Sequence, residues 1–113
     1  MLPKIARIRK KKAHEAIYQH GQRVSGRFLR IIILANNLSF NRFGFVVGAK
    51  ISKKAVMRNK IKRRLRALVA EKNSSWLQGY DFLFLAFPAS QDQKSQALSQ
   101  DLTVLLRRLK ICP

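Results

Sequence analysis

Apolar positions recur along the chain with two different periods, and those periods divide it into elements. Residues 10–20 read as a helix that Gly21 stops. Residues 27–34 read as a strand, rich in Ile and carrying the bulky Phe28. Asn36-Asn37 opens a turn region that lasts to Asn41. Residues 42–48 read as a second strand with Phe43, Phe45 and Val47 on one face, and the two strands are expected to pair as a hairpin. From 57 to 71 the period changes: Met57, Ile61, Leu65 and Leu68 form one helical stripe, while Asn59, Lys62, Arg63 and Arg66 lie round the opposite side. Asn73-Ser74-Ser75 ends this helix. Residues 80–87 are almost continuously apolar, the signature of a central strand buried on both faces, and Pro88 stops it. A last helix, capped by Ser90 or Asp92, runs to about residue 110 and buries Leu98, Leu102, Leu105 and Leu109. The order predicts an α+β sandwich built on one sheet. Without repeats or linkers, residues 1–113 form a single domain whose first nine residues are expected to be flexible.

Composition adds a constraint that the pattern does not. The chain is 113 residues long and 47% apolar, enough for a real core, yet 24 Lys and Arg face only 5 acids, for a formal charge of +19. Self-repulsion on that scale opposes compaction and makes sense where a polyanion neutralises it. The lone Cys112 permits no intramolecular disulfide and no cysteine-based metal site, which suits a reducing, cytoplasmic compartment. The longest apolar run, Ile31-Ile32-Ile33-Leu34-Ala35, falls far short of the ~20 residues that span a bilayer. The basic N-terminus lacks the apolar segment of a secretory signal, and no membrane partner is expected.

The distribution of charge is sharper than its total. No acid occurs from Ala16 to Ala70, and within that span residues 50–66 hold nine basic side chains. With nothing of opposite sign to pair with, this run reads as a surface that tracks phosphates. Catalytic groups, by contrast, are missing. The acids Glu15, Glu71, Asp81, Asp92 and Asp101 stand singly, and His14 and His20 lie six apart, about 240° round a helix, so they do not converge. There is no phosphate loop and no nucleophile–base set. The polypeptide is therefore expected to hold no catalytic residue and no metal site of its own.

The densest segment carries a family resemblance. Gly44-Phe45-Val46-Val47, then Lys50, Lys53-Lys54-Ala55 and Arg58-Asn59-Lys60-Ile61-Lys62-Arg63, with Arg66 three residues on, resemble the signature of the protein subunit of bacterial ribonuclease P. Lys60 stands where the family pattern has Arg, a departure that keeps the charge and weakens a bidentate grip. The likeness extends from Leu2-Pro3 through His20-Gly21 to Asp81-Phe82 and Pro88-Ala89, nearly the whole chain in order. It implies an αβββαβα sandwich similar to a domain of a small-subunit ribosomal protein, with a left-handed βαβ crossover against the usual hand.

The resemblance also implies a function. In the family the catalyst is an RNA subunit that removes the 5′ leader of precursor tRNA with magnesium ions, which the RNA mainly binds. The protein contacts that RNA and the leader, as a monomer in a one-to-one ribonucleoprotein. Carried over by position, Lys53, Lys54, Arg58, Asn59, Lys60, Lys62, Arg63 and Arg66 would face the catalytic RNA. The leader would lie in a cleft between the first helix and the sheet. There His14 and Tyr18 take the places of two stacking aromatics, with Phe28, Arg30 and Ile32 from one strand and Val46 and Lys50 from the next. A ribosomal protein and a protein-only nuclease are the competing classes; co-purifying RNA separates the first, and an RNA-free cleavage assay the second.

Overall fold

The computed structural model describes residues 6–8, 10–48, 53–90 and 94–112. Helix α1 (Lys11–His20) leads into strands β1 (Gln22–Ser25), β2 (Leu29–Ala35) and β3 (Arg42–Val46); then follow α2 (Ala55–Lys72), β4 (Tyr80–Ala86) and α3 (Ser95–Arg108). The four strands form one sheet in the order β1-β2-β4-β3. β4, the most continuously apolar strand, sits inside the sheet, antiparallel to β2 and parallel to β3. Parallel neighbours need a long crossover, and α2 supplies it.

The expected β2–β3 hairpin does not form. β4 lies between the two strands, and the antiparallel partner of β2 is instead the short β1, with Gln22 opposite Ile33 and Ser25 opposite Arg30. The competing force is burial: Phe82, Leu83 and Phe84 are fully buried and are best covered at the sheet's centre. Two further expectations are corrected. Ser90 does not cap α3; its hydroxyl bonds the carbonyl of Phe87 within a 3-10 turn, and Lys94 is the N-cap residue, while Asp92 lies outside the described residues. Of the nine residues expected to be flexible, Ala6–Ile8 are held: Arg7 bridges to Phe43, the Ile8 amide donates to the Phe43 carbonyl, and Ala6 and Ile8 are buried. This strap covers the open edge of β3. Residues 1–5 and 9 lie outside the description.

Register sorts the sheet into two faces. Under α2 and α3, Phe43 and Phe45 of β3 align with Phe82 and Phe84 of β4 and with Ile33 and Ile31 of β2. The rings of Phe82 and Phe84 stack 5.9 Å apart, and Trp76 closes over Phe82 at 5.5 Å. On the other face the rows are Leu34–Asp81–Arg42, Ile32–Leu83–Gly44 and Arg30–Leu85–Val46. Here α1 covers only the middle of the sheet, where Ile8, Ile17, Ile32 and Leu83 form a small second core. Gly21 ends α1 with an extended φ of −73°, so its lack of a side chain answers space: a Cβ would lie 2.5 Å from Ile32 Cγ2 and closer still to the carbonyl of Ile17.

Candidate nucleic-acid interface

Helix α2 forms because an apolar stripe docks on the sheet. Ile61, Leu65 and Val69 are fully buried and Leu68 nearly so. At 100° per residue the opposite pole falls near Asn59 and Arg63, and these are exposed together with Lys60 and Arg66. Arg58, Lys62 and Arg66, four residues apart, run down one flank; the first two are half-buried. At the end of that flank the Arg66 guanidinium stacks over the Phe45 ring at 5.8 Å, tying the basic helix to the edge of β3. Lys53 and Lys54 are exposed just before the helix; Lys50 lies outside the described residues.

The helix starts add to the positive field. The N-cap residues of α1, α2 and α3 are Lys10, Lys54 and Lys94, none makes a side-chain cap bond, and no first turn holds an acid. A cation at the positive end of a helix dipole has the wrong sign for stability. Three such starts in one small protein fit a chain whose field an anion balances.

Two of the acids, Asp81 and Asp101, serve the fold. Asp101 on α3 accepts the backbone N–H groups of Arg27, Phe28 and Leu29 at 3.0–3.2 Å, clamping the entry to β2. Asp81 on β4 takes a two-pronged bond from Arg42, at 2.8 and 2.6 Å, and a third from the Asn36 amide. Hydrogen bonding to Asp81 raises the Arg42 pKa above its usual value; burial opposes it, and the charge of Asp81 adds a smaller upward effect. A group raised in this way contributes stability that is full below its unfolded value, and the arginine's share is lost only as pH rises into strong alkali.

The structure separates residues that the sequence grouped in the leader cleft. His14 and Tyr18 share α1, but His14 is half-buried against the sheet while Tyr18 stands 39% exposed. Ile32 has the expected parity and is fully buried under α1, so it supports the cleft and cannot line it. Phe28 lies before β2, where strand alternation has not begun; it packs on the main core and beside Asp101 and Val104 of α3, away from α1. Arg30 and Val46 are half-buried in the row that α1 leaves partly uncovered. That row brings in Leu85 between them, and Arg30 lies over the Phe87 ring at 5.6 Å. The sequence pattern puts both Leu85 and Phe87 in the core. Alternation along β4 carries the signal for Leu85, once its two neighbours are known.

A second concavity joins the basic helix to α1. Arg7, Ile8, His14, Phe43, Gly44, Phe45 and Arg66 line a cleft of about 260 Å³ at the β3 edge. His14 lies against Gly44, where a Cβ would make ordinary contact with its ring at 3.4 Å and a tighter one with a Leu83 methyl at 3.0 Å. His14 Nε2 is 3.3 Å from the Ile8 carbonyl oxygen. The Arg7 Nε is buried and has no hydrogen-bond partner among the described residues.

The magnesium implied by the resemblance does not suit Asp81 or Asp101. Asp81 and Asp101 are committed to Arg42, Asn36 and backbone amides, and no three His, Cys, Asp or Glu side chains gather among the described residues. A hard cation of this kind takes several oxygen ligands at once.

Fold and surface define a class: a one-sheet α+β protein with a concentrated cationic helix face, the charge pattern of a polyanion binder. The family follows from comparison. The ribonuclease P family model matches residues 2–110, and the chain belongs to that family as a ribonuclease P protein component of the bacterial type. It is 36% identical over 108 residues to the ribonuclease P protein component of Syntrophomonas wolfei, covering 96% of this chain and 90% of that one. It is 32% identical to the Pseudanabaena component over 112 residues, or 98% and 97% of the two chains. Among solved structures, a Staphylococcus aureus RNase P protein mutant with defective mRNA degradation activity superposes with a TM-score of 0.88 at 28% identity, over 96% of this chain and 91% of that one. The Thermotoga maritima RNase P protein, at 23% identity, shares the fold with a TM-score of 0.82, over 90% and 96% of the two chains.

Proposed function

We propose that this chain is the RNA-binding, non-catalytic subunit of ribonuclease P, holding the catalytic RNA and the 5′ leader of precursor tRNA while the RNA breaks the bond. The observation that carries the reading is the α2 face: Asn59, Lys60, Arg63 and Arg66 are exposed on the part of the helix that lies in a stretch holding no acid, from Ala16 to Ala70. Its Arg side chains can grip phosphates bidentately and Lys acts as a point charge. The leader lies along the sheet strip beside α1, where Tyr18 offers a ring face and Arg30, Leu85 and Val46 form the floor. In this reading the RNA mainly binds the magnesium, which agrees with the commitment of Asp81 and Asp101 to partners within the fold. The partners are one catalytic RNA and its precursor tRNA, and the compartment is the cytoplasm.

Reconstitution tests this. The purified chain with its RNA subunit, magnesium and precursor tRNA is expected to release the leader at a low magnesium concentration where RNA alone is slow. The chain with magnesium but without RNA is expected to cleave nothing. RNA-free cleavage would overturn the assignment.

A further inference from the structure

We infer that the groove between the β1–β2 turn and α3 takes up an unpaired base from the 5′-distal part of the leader, after the leader has left the strip beside α1. This rests on the leader-binding reading above and extends it to a second site, on the α3 side of the sheet.

The groove holds about 410 Å³ and is lined by Arg27 and Phe28 from the turn and by Ala97, Gln100, Asp101 and Val104 from α3. Gly26 lets the turn close on α3, because a Cβ there would overlap the Asp101 carboxylate. Asp101 in turn fixes the wall through its bonds to the amides of Arg27, Phe28 and Leu29. Arg27 and Asp101 put opposite charges on the lining, so the groove is close to neutral and suits a base better than a bare phosphate. Phe28 is half-buried and Val104 is 46% exposed, so apolar surface faces the opening. The Arg27 guanidinium lies over the Phe28 ring at 5.5 Å and offers a flat cationic face on which any base stacks. The exposed Gln100 amide carries both donors and an acceptor for a base edge.

Continuity with the strip names the occupant. Register sets Val46, Leu85, Arg30 and Ser25 side by side on successive strands from β3 to β1, a row about 14 Å long. The catalytic RNA is assigned to α2, which Arg66 ties to the β3 edge. A leader joined to the cleavage site at its 3′ end therefore enters the row at Val46 and leaves it at Ser25, where the turn begins. Two arginine–aromatic pairs flank that exit: Arg30 over Phe87 at 5.6 Å on the strip, and Arg27 over Phe28 on the α3 side. The pairs adjoin, since the Phe87 N–H donates to the Phe28 carbonyl at 2.8 Å. Arg30 Nε also bonds Ser25 Oγ at 3.0 Å, which holds this guanidinium at the exit. A phosphate backbone that rounds the turn passes from one guanidinium to the next and brings its following base to the groove.

The test uses the full chain assembled with its catalytic RNA, and precursor tRNAs that differ only in leader length, about five or about fifteen nucleotides, with a 2′-deoxy nucleotide at the cleavage position to slow bond breaking. The unaltered chain is expected to bind the long leader about fivefold to thirtyfold more tightly than the short one, the worth of one stacked base. Arg27→Ala and Val104→Glu, both at exposed side chains, are expected to lose that gain and to leave the short leader's affinity unchanged. Arg108→Ala, which removes an equal charge from an exposed position in the last turn of α3, is expected to keep it. Cross-linking by 4-thiouridine in the distal part of the long leader reads the site on the unaltered chain, whatever the variants do to folding, and is expected to reach residues 97–104. No gain with leader length, a gain that both variants retain, equal losses for short and long leaders, or cross-links that miss α3 would each overturn the inference. If the short leader still outbinds mature tRNA in that case, the leader reading stands; if no leader does, both fall.

Discussion

The face of the sheet under α2 and α3 buries Leu29, Ile31, Ile33, Phe43, Phe82 and Phe84 beneath two helices, whereas the apolar cluster sealed under α1 is, among the described residues, the smaller set Ile8, Ile17, Ile32 and Leu83. Both faces belong to the same strands and differ in what covers them. Two helices make a dry, aromatic layer that holds the fold. One ten-residue helix cannot span four strands, so the Arg30–Leu85–Val46 row stays half-open beside it. The thin face is thereby left for binding, and the thick face presents to solvent the outer side of α2, where the cations lie.

Perturbations of the two faces should therefore differ in kind. The largest effect is expected on the thick face: Phe84→Ala removes a fully buried ring and should cost about 3–5 kcal/mol in urea unfolding. A loss under about 1 kcal/mol would mean that this face is not the stabilising one. Next comes the clamp between α3 and β2. Asp101→Ala leaves the amides of Arg27, Phe28 and Leu29 without their acceptor and should cost about 2–3 kcal/mol, with faster amide exchange at those three residues first. Smallest for the fold is Tyr18→Ala on the thin face: stability should change by under about 0.5 kcal/mol. Its effect belongs to binding, where substrate carrying a leader should lose about 1–3 kcal/mol of affinity and mature tRNA none. Equal losses for both would move Tyr18 out of the cleft.

What could be read from the sequence followed from local periodicity. The stripes of α2 and α3, the parity of β2 and β3, and the central character of β4 were legible because each depends on one element's own residues. Neighbour relations were not. Nothing in residues 80–87 says which strands flank them, so the pattern points to a β2–β3 hairpin and puts Leu85 in the core. β1, Gln-Arg-Val-Ser, is too short and polar to announce itself and is held by pairing with β2. Phe28 falls on the wrong side when alternation is counted from a residue that precedes the strand. The cleft of Arg7, His14 and Arg66 joins three segments far apart in sequence, so only the fold brings it together.

The central claim is that the α2 flank binds RNA through phosphates, and the salt dependence of binding tests it most directly. Arg58, Lys62 and Arg66 are changed together to Ala in a chain that still folds. With the catalytic RNA, the slope of log affinity against log salt should then shrink by about 0.7–0.9 for each phosphate that the variant no longer neutralises. An unchanged slope and affinity would contradict the account, because the most concentrated charge of the molecule would then face something other than RNA.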